Sequence, residues 1–199
     1  MIRASEQDRE DVAEKRLMWR AWQLGIDPSR LVFIDETWIT TNMTRLRGRA
    51  PAGERVIGIV PHGHWKTTTL VAAMNMTGVQ CSMVLDGAIN RAAFEAFVEK
   101  VLLPTLRPGQ IVIMDNLSSH KGSGVRELIS RAGAELLYLP PYSPDLSPIE
   151  PAFSKIKQLL RSAAYRTVDV LWGSVQSILD HVSASNAIAY FRHCGYAIQ

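Results

Sequence analysis

The sequence predicts an α/β fold built on a mixed sheet, and three observations carry the prediction. Residues 111–114 form a short, unbroken apolar run that ends in Asp115-Asn116, the pattern of a strand buried on both faces. From Asn90 to Leu139, helical periodicity alternates with strand-like runs, which implies parallel strands joined by a crossover. Before Asn90, β-rich segments follow one another through short connections, which favours an antiparallel meander.

The chain opens with a helical pattern over residues 5–24, with Val12, Trp19 and Trp22 near one face, ended by Gly25 and Pro28. Residues 1–30 therefore read as a lead-in helix ahead of one domain over 31–199. Residues 31–41 form a long first strand with Asp35 in its middle, where an acid is costly to bury without a hydrogen-bonding partner or a metal. Residues 45–54, with Gly48, Pro51 and Gly53, read as a turn-rich connection. Residues 56–60 and 66–74 read as the second and third strands, joined by Pro61-His62-Gly63-His64, with a further short strand over 81–85 after Gly78.

Asn90 suits the N-cap of a helix carrying Phe94, Phe97, Val98 and Val101 at helical spacing and stopping at Pro104. The strand ending at Asp115 follows, then a helix with Val125, Leu128, Ile129 and Ala132 inward, then a strand over 135–139. The proline-rich run 140–148 excludes regular structure and leads into a helix with Ile149, Phe153, Ile156 and Leu160 on one face. Two more helices close the chain, one with Val168, Leu171, Trp172, Val175, Ile178 and Leu179 inward, the other around Tyr190 and Phe191. The order is three antiparallel strands, helix, strand, helix, strand, then helices. It predicts an RNase H-like fold, a mixed five-stranded sheet of three antiparallel then two parallel strands flanked by helices.

Composition narrows the function classes. With 199 residues and a hydrophobic fraction of 47%, the chain can bury one sizeable core without staples. Cys81 and Cys194 lack metal-ligand or CxxC spacing, which argues against a disulfide framework or structural zinc and fits a reducing cytosol. No apolar stretch is long enough to span a bilayer, and the acidic N-terminus does not resemble a signal peptide, so a soluble cytoplasmic protein is expected. The net charge of +3 allows a nucleic-acid partner without demanding one. Arg45, Arg47, Arg49, Arg55 and Lys66 against the single acid Glu54 make a local positive patch or a solvated loop.

In the expected topology, the middle of the first strand, the end of the fourth and the start of the helix after the fifth lie side by side. Asp35, Asp115 and Glu150 would converge there. Three acids at one point repel each other unless hard cations neutralise them, and Mg²⁺ is typically held by one or two carboxylates plus phosphate oxygens. Two such ions roughly 4 Å apart serve in-line phosphoryl displacement. Each acid has a plainer role available: Asp35 on a half-exposed strand, Asp115 in a turn with Asn116, and Glu150 in a capping box with Ser147.

At these residues the chain resembles the DDE transposases, specifically insertion-sequence transposases of the six-thirty type within the mariner-like superfamily. The resemblance rests on Phe33-Ile34-Asp35-Glu36-Thr37-Trp38, on Pro61-His62-Gly63-His64-Trp65-Lys66-Thr67, on Met114-Asp115-Asn116-Leu117-Ser118-Ser119-His120-Lys121, and on the run from Leu139 to Glu150. The 34 residues between Asp115 and Glu150 are similar to the family's spacing. The resemblance implies a DNA strand-cleavage and strand-transfer enzyme with Asp35, Asp115 and Glu150 as metal-binding catalytic acids. It implies Mg²⁺ as cofactor, with Mn²⁺ substituting and two ions bound, and transposon ends and target DNA as partners. A TA target and a homodimer follow from the same resemblance.

The family pattern has Asn where this chain has Ser147, and Pro151 follows Glu150 directly. Full-length relatives carry helix-turn-helix domains before the catalytic domain, whereas one lead-in helix precedes Asp35 here. The expectation is a catalytic half whose recognition domain belongs to a separate chain, a frameshifted product or a longer parent. An RNase H-like nuclease without transfer, and a DNA-binding remnant, are the alternative functions. Asp145 and Asp86 rank below Glu150 as third acid, both suiting turns. His120 and Lys121 beside Asp115, and Lys157 and Arg161 on the face of Glu150, are candidate DNA contacts, against a reading as solvated surface. His62 and His64 are expected to make structural hydrogen bonds, and Trp38 and Trp65 to lie in the core rather than stack on a base.

Overall fold

The computed structural model describes residues 4–116 and 123–198. A five-stranded sheet in the order β3-β2-β1-β4-β5 organises the chain. Its strands are β1 (Leu31–Thr40), β2 (Thr67–Asn75), β3 (Gly78–Asp86), β4 (Ile111–Met114) and β5 (Glu135–Tyr138). The β1-β2 and β2-β3 pairs are antiparallel, and β1-β4 and β4-β5 are parallel, the mixed arrangement the element order predicts. The helices are α1 (Glu10–Gly25), α2 (Arg91–Phe97), α3 (Ser123–Arg131), α4 (Ile149–Ala163), α5 (Val168–Leu179) and α6 (Ala184–His193).

Strand alternation divides the core in two. Odd-numbered residues of β1 and β4, namely Leu31, Phe33, Ile39, Ile111 and Ile113, pack with Trp19 of α1 and with α4, α5 and α6. Even-numbered Val32, Ile34, Val112 and Met114 pack with Phe94, Phe97, Val98 and Leu102 and with Val125 and Ile129 of α3. α4 buries Ile149, Phe153, Ile156 and Leu160, each contributing roughly 1.5–3 kcal/mol of transfer free energy. Phe33 meets Phe191 and Tyr196 edge-on at 5.4 and 5.5 Å between ring centroids, a favoured aromatic geometry. No described helix is long and apolar enough to cross a membrane.

Three sequence expectations change. Residues 56–60 are not a strand: they are exposed, with Ile57 and Ile59 at 87% and 95%. The place beside β1 is taken by residues 67–75, and the segment expected as a short additional strand lengthens into β3. β-propensity marks a segment as able to pair but does not choose its partner. Thr41 and Lys66 close the base of this excursion through two 3.1 Å hydrogen bonds, Thr41 N to Lys66 O and Lys66 N to Thr41 Oγ1. Trp38 and Trp65 are 66% and 57% exposed rather than in the core. The expected first helix is interrupted: a 3-10 turn over Ser5–Asp8 precedes α1, with Arg9 extended between them.

The β2-β3 hairpin depends on Gly78, whose φ of +119° suits glycine and whose Cβ would meet the Val182 carbonyl oxygen at 2.7 Å. Asn90 caps α2 by accepting from the Ala93 N–H at 2.9 Å, as its sequence position predicts.

Candidate active site

The site forms where β1 outruns β4. The ladder between them pairs Leu31 with Ile111 and Phe33 with Ile113, and the same offset continued one step brings Asp115 level with Asp35. Strand alternation puts Asp35 on the face that carries α4, and Glu150 lies in the first turn of that helix. Asp35, Asp115 and Glu150 together line one open cavity of about 490 Å³, walled by residues 139–144 and Ser147. The three acids of the sequence reading therefore face one cavity.

Their electrostatics record the crowding. Burial is the main force that raises the Asp35 carboxyl to about 8, with the negative charges of Glu150, Glu36 and Asp115 adding to it. A 2.8 Å hydrogen bond from the Glu36 N–H to Asp35 Oδ1 opposes that shift without cancelling it. Glu150 stands at the rim and is exposed as a residue. Loss of water to the surrounding protein still raises its carboxyl; the Lys157 ammonium opposes the shift and Asp115 reinforces it. Burial lowers the Lys157 ammonium, as does Arg161, while Glu150 and Asp35 pull it back up. Two turns beyond Glu150 on α4, Lys157 thus shares the electric field of the cluster.

The remaining candidates sort clearly. Asp145 lies outside the cavity and forms a two-pronged ion pair with Arg16, Nη1 to Oδ1 at 2.9 Å and Nη2 to Oδ2 at 2.7 Å. Asp86 ends β3, exposed, on an edge strand away from the cavity. His62 and His64 are exposed on the 42–65 excursion, which also carries the exposed basic residues Arg45, Arg47, Arg49 and Arg55. His120 and Lys121 lie outside the described residues. The Ser147 capping box does not form: α4 starts one residue later, with Pro148 at its N-cap and no side-chain cap.

Arg16 is the residue that sequence reasoning missed. The buried face of α1 is Val12, Arg16, Trp19 and Gln23, a helical repeat whose polar members hide it from a search for apolar periodicity. A charged residue in register between Val12 and Trp19 was the available signal, since buried charge demands a partner.

Carboxylates alone define the donor chemistry, which is that of a hard cation. Among the described residues, no three His, Cys, Asp or Glu side chains sit close enough together to hold an ion unaided. The donors therefore fit a metal bound through one or two carboxylates each, with further positions left for water or a phosphate ligand.

No curated protein matches the chain by sequence. Among solved structures, it is similar to the Mos1 transposase in its paired-end complex with the left transposon end, at a TM-score of 0.76 and 18% identity over 98% of this chain. The Mos1 strand transfer complex matches at 0.75 and 20%. The isolated catalytic domain of Mos1 mariner transposase matches at 0.63 and 16%, covering 100% of this chain and 98% of that domain. The chain spans 61% of the length of the paired-end transposase. At these identities the likeness establishes the RNase H-like fold. The family model of the DDE superfamily endonucleases matches residues 30–171, from the start of β1 into α5 and through all three acids. The chain belongs to the DDE superfamily endonucleases.

Proposed function

We propose that this chain is the catalytic domain of a DNA transposase, in which Asp35, Asp115 and Glu150 hold two Mg²⁺ ions at a phosphodiester. The observation that carries the reading is the convergence of three carboxylates from β1, the end of β4 and the start of α4 on one open cavity. Repulsion and burial at Asp35 make this cluster unfavourable for the fold alone, and a bound cation reverses that cost. Asp35, Asp115 and Glu150 would hold such ions, which would supply activation of the attacking oxygen and stabilisation of the leaving one. Lys157 and Arg161 extend a cationic stripe along α4 that suits backbone phosphates, contacts that position a duplex without reading its sequence.

The reaction has two displacements. A water oxygen bonds to phosphorus as the P–O3′ bond breaks, leaving a 3′-hydroxyl and a 5′-phosphate. That hydroxyl oxygen then bonds to a target phosphorus and displaces the target's own 3′ oxygen. Solved Mos1 complexes with transposon ends, and with Mg or Mn, support DNA and these ions as partners. Action as a cytoplasmic homodimer, with end recognition supplied by a separate segment or chain, completes the proposal.

The test joins a precut oligonucleotide bearing a free 3′-hydroxyl to plasmid DNA in Mg²⁺ and in Mn²⁺, alongside Mn²⁺ calorimetry. Joining by the parent, with joining and Mn²⁺ binding both lost in Asp35→Ala and Asp115→Ala, is the expected result. Hydrolysis without joining would assign a nuclease instead. DNA affinity indifferent to the acids, with no chemistry, would assign a binding remnant.

A further inference from the structure

The loop that delivers Glu150 is held only in part by its own bonds, Leu146 N–H to the Ser143 carbonyl, Ser147 N–H to that of Pro144, Glu150 N–H to that of Ser147 and Ser143 Oγ to that of Pro141. Pro140, Pro141, Pro144 and Pro148 remove four backbone N–H donors between Leu139 and Ile149, and Tyr142 sits at φ +56°, a left-handed conformation that a non-glycine residue adopts only under constraint. The start of α4 has no side-chain cap. The loop's own bonds leave part of the constraint, on Tyr142 and on the uncapped start of α4, to contacts from elsewhere.

That constraint comes from the N-terminal segment. Gln7 Nε2, in the turn before α1, donates to the Tyr142 carbonyl oxygen at 2.6 Å. Arg16, 9% exposed, donates from Nη1 to Ser143 Oγ at 2.7 Å and closes its fork on the Asp145 carboxylate. Trp19 Nε1 donates to the Tyr196 hydroxyl at 3.2 Å, which donates in turn to the Leu146 carbonyl oxygen at 3.0 Å. Residues 142, 143, 145 and 146 are each gripped by α1 or its lead-in turn, directly or through Tyr196. Gln7 in the lead-in turn, with Arg16 and Trp19 on α1, thus fix four residues of the loop that ends at Glu150.

We propose that α1 is a splint for the third acid, and that Arg16 is a positioning residue for metal binding at Glu150. The proposal rests on the assignment of Glu150 as a metal-binding carboxylate. Arg16 is suited to the task because a planar guanidinium can bridge a hydroxyl and both oxygens of a carboxylate at once, which a lysine cannot. Docking of the N-terminal helix and assembly of the metal site are then one event, so whatever moves α1 moves Glu150.

The experiment compares the parent chain with Arg16→Met, Arg16→Lys and the milder Gln7→Ala, with Glu150→Ala as the site control. Amide exchange of residues 142–150 reads the loop, and Mn²⁺ calorimetry reads the site. We expect faster exchange confined to 142–150 in both Arg16 variants and a smaller rise in Gln7→Ala. Mn²⁺ affinity should fall by about tenfold in the Arg16 variants, the scale for residues that orient metal ligands. Unchanged exchange at 142–150 in folded Arg16 variants overturns the splint. Loosened exchange with parental Mn²⁺ affinity, while Glu150→Ala binds weakly, overturns the positioning role and leaves the metal site standing. Should Glu150→Ala itself bind Mn²⁺ like the parent, the assignment of Glu150 fails, and the positioning role fails with it. If both Arg16 variants fail to fold, Gln7→Ala decides by the same two readings.

Discussion

Removing one oxygen atom, in Tyr196→Phe, tests how the C-terminus stabilises the site. The ring of Tyr196 is 2% exposed and packs on Phe33 and Phe191, so the substitution keeps its apolar contacts and opens no sizeable cavity. It does remove two hydrogen bonds, from Trp19 Nε1 and to the Leu146 carbonyl oxygen. Leu146 is also 2% exposed, so water cannot readily replace the lost donor, and a buried group left unsatisfied costs about 1–3 kcal/mol. Trp19 lies nearer the surface at 9% exposure, and its N–H contributes toward the low end of that range. The sum is about 2–4 kcal/mol of lost stability. For a domain with a urea m-value of about 2 kcal/mol per molar, the unfolding midpoint should fall by about 1–2 M at unchanged m. Tyr190→Phe is the control, since the half-buried Tyr190 hydroxyl makes no hydrogen bond among the described residues, and its midpoint should move by less than about 0.3 M. A Tyr196→Phe midpoint within that same margin would refute the paired hydroxyl and, with it, the contact to Leu146.

Asp35→Asn should stabilise the metal-free chain at pH 7 while abolishing strand cleavage and joining, because burial and three neighbouring acids make the folded chain take up a proton at Asp35 that the unfolded chain does not, a cost that Asn avoids. Allowing for partial exposure of Asp35, the gain is about 1–2 kcal/mol, or a few degrees in Tm by calorimetry; a lower Tm would count against the crowding argument. Asp145 behaves in the opposite sense. Burial raises its carboxyl, but the hydrogen bond and charge of Arg16 outweigh this and hold it below the usual carboxylate range. Its contribution is therefore fully present above the unfolded pKa, about 3.9, and is lost as pH falls through the lower folded value. Urea unfolding at pH 7 and pH 3 should show Asp145→Asn losing less stability on acidification than the parent, and equal losses would refute the linkage.

How much of this was legible beforehand depends on the kind of signal. β1, β4, α2 and α4 were readable because each carries a complete local pattern: an unbroken apolar run, or apolar residues at i, i+3, i+4 and i+7. Asp115 was readable as the residue that ends such a run, and the motif from Leu139 to Glu150 carried Glu150 with it. Residues 56–60 carried the same β-rich signal as 67–75, yet one lies exposed and the other fills the sheet. Both can extend, and only one can occupy the edge of β1. Trp38 and Trp65 look like core residues by type, but burial depends on what packs over a side chain and not on its type.

The acids divide the same way. By itself the sequence determined which residues could do the chemistry, because a carboxylate at a strand end or helix start is a local property of residue type and periodicity. It also determined that antiparallel strands come first and parallel strands follow, since short connections and helical crossovers constrain how neighbouring strands pair. Only the tertiary structure decided that Asp145 is held by Arg16 and lies outside the cavity, that Ser147 caps nothing, and that the segment carrying Glu150 is held by a helix more than a hundred residues earlier. Those outcomes depend on contacts between distant parts of the chain, where a buried charge finds its partner in space and no local pattern names it.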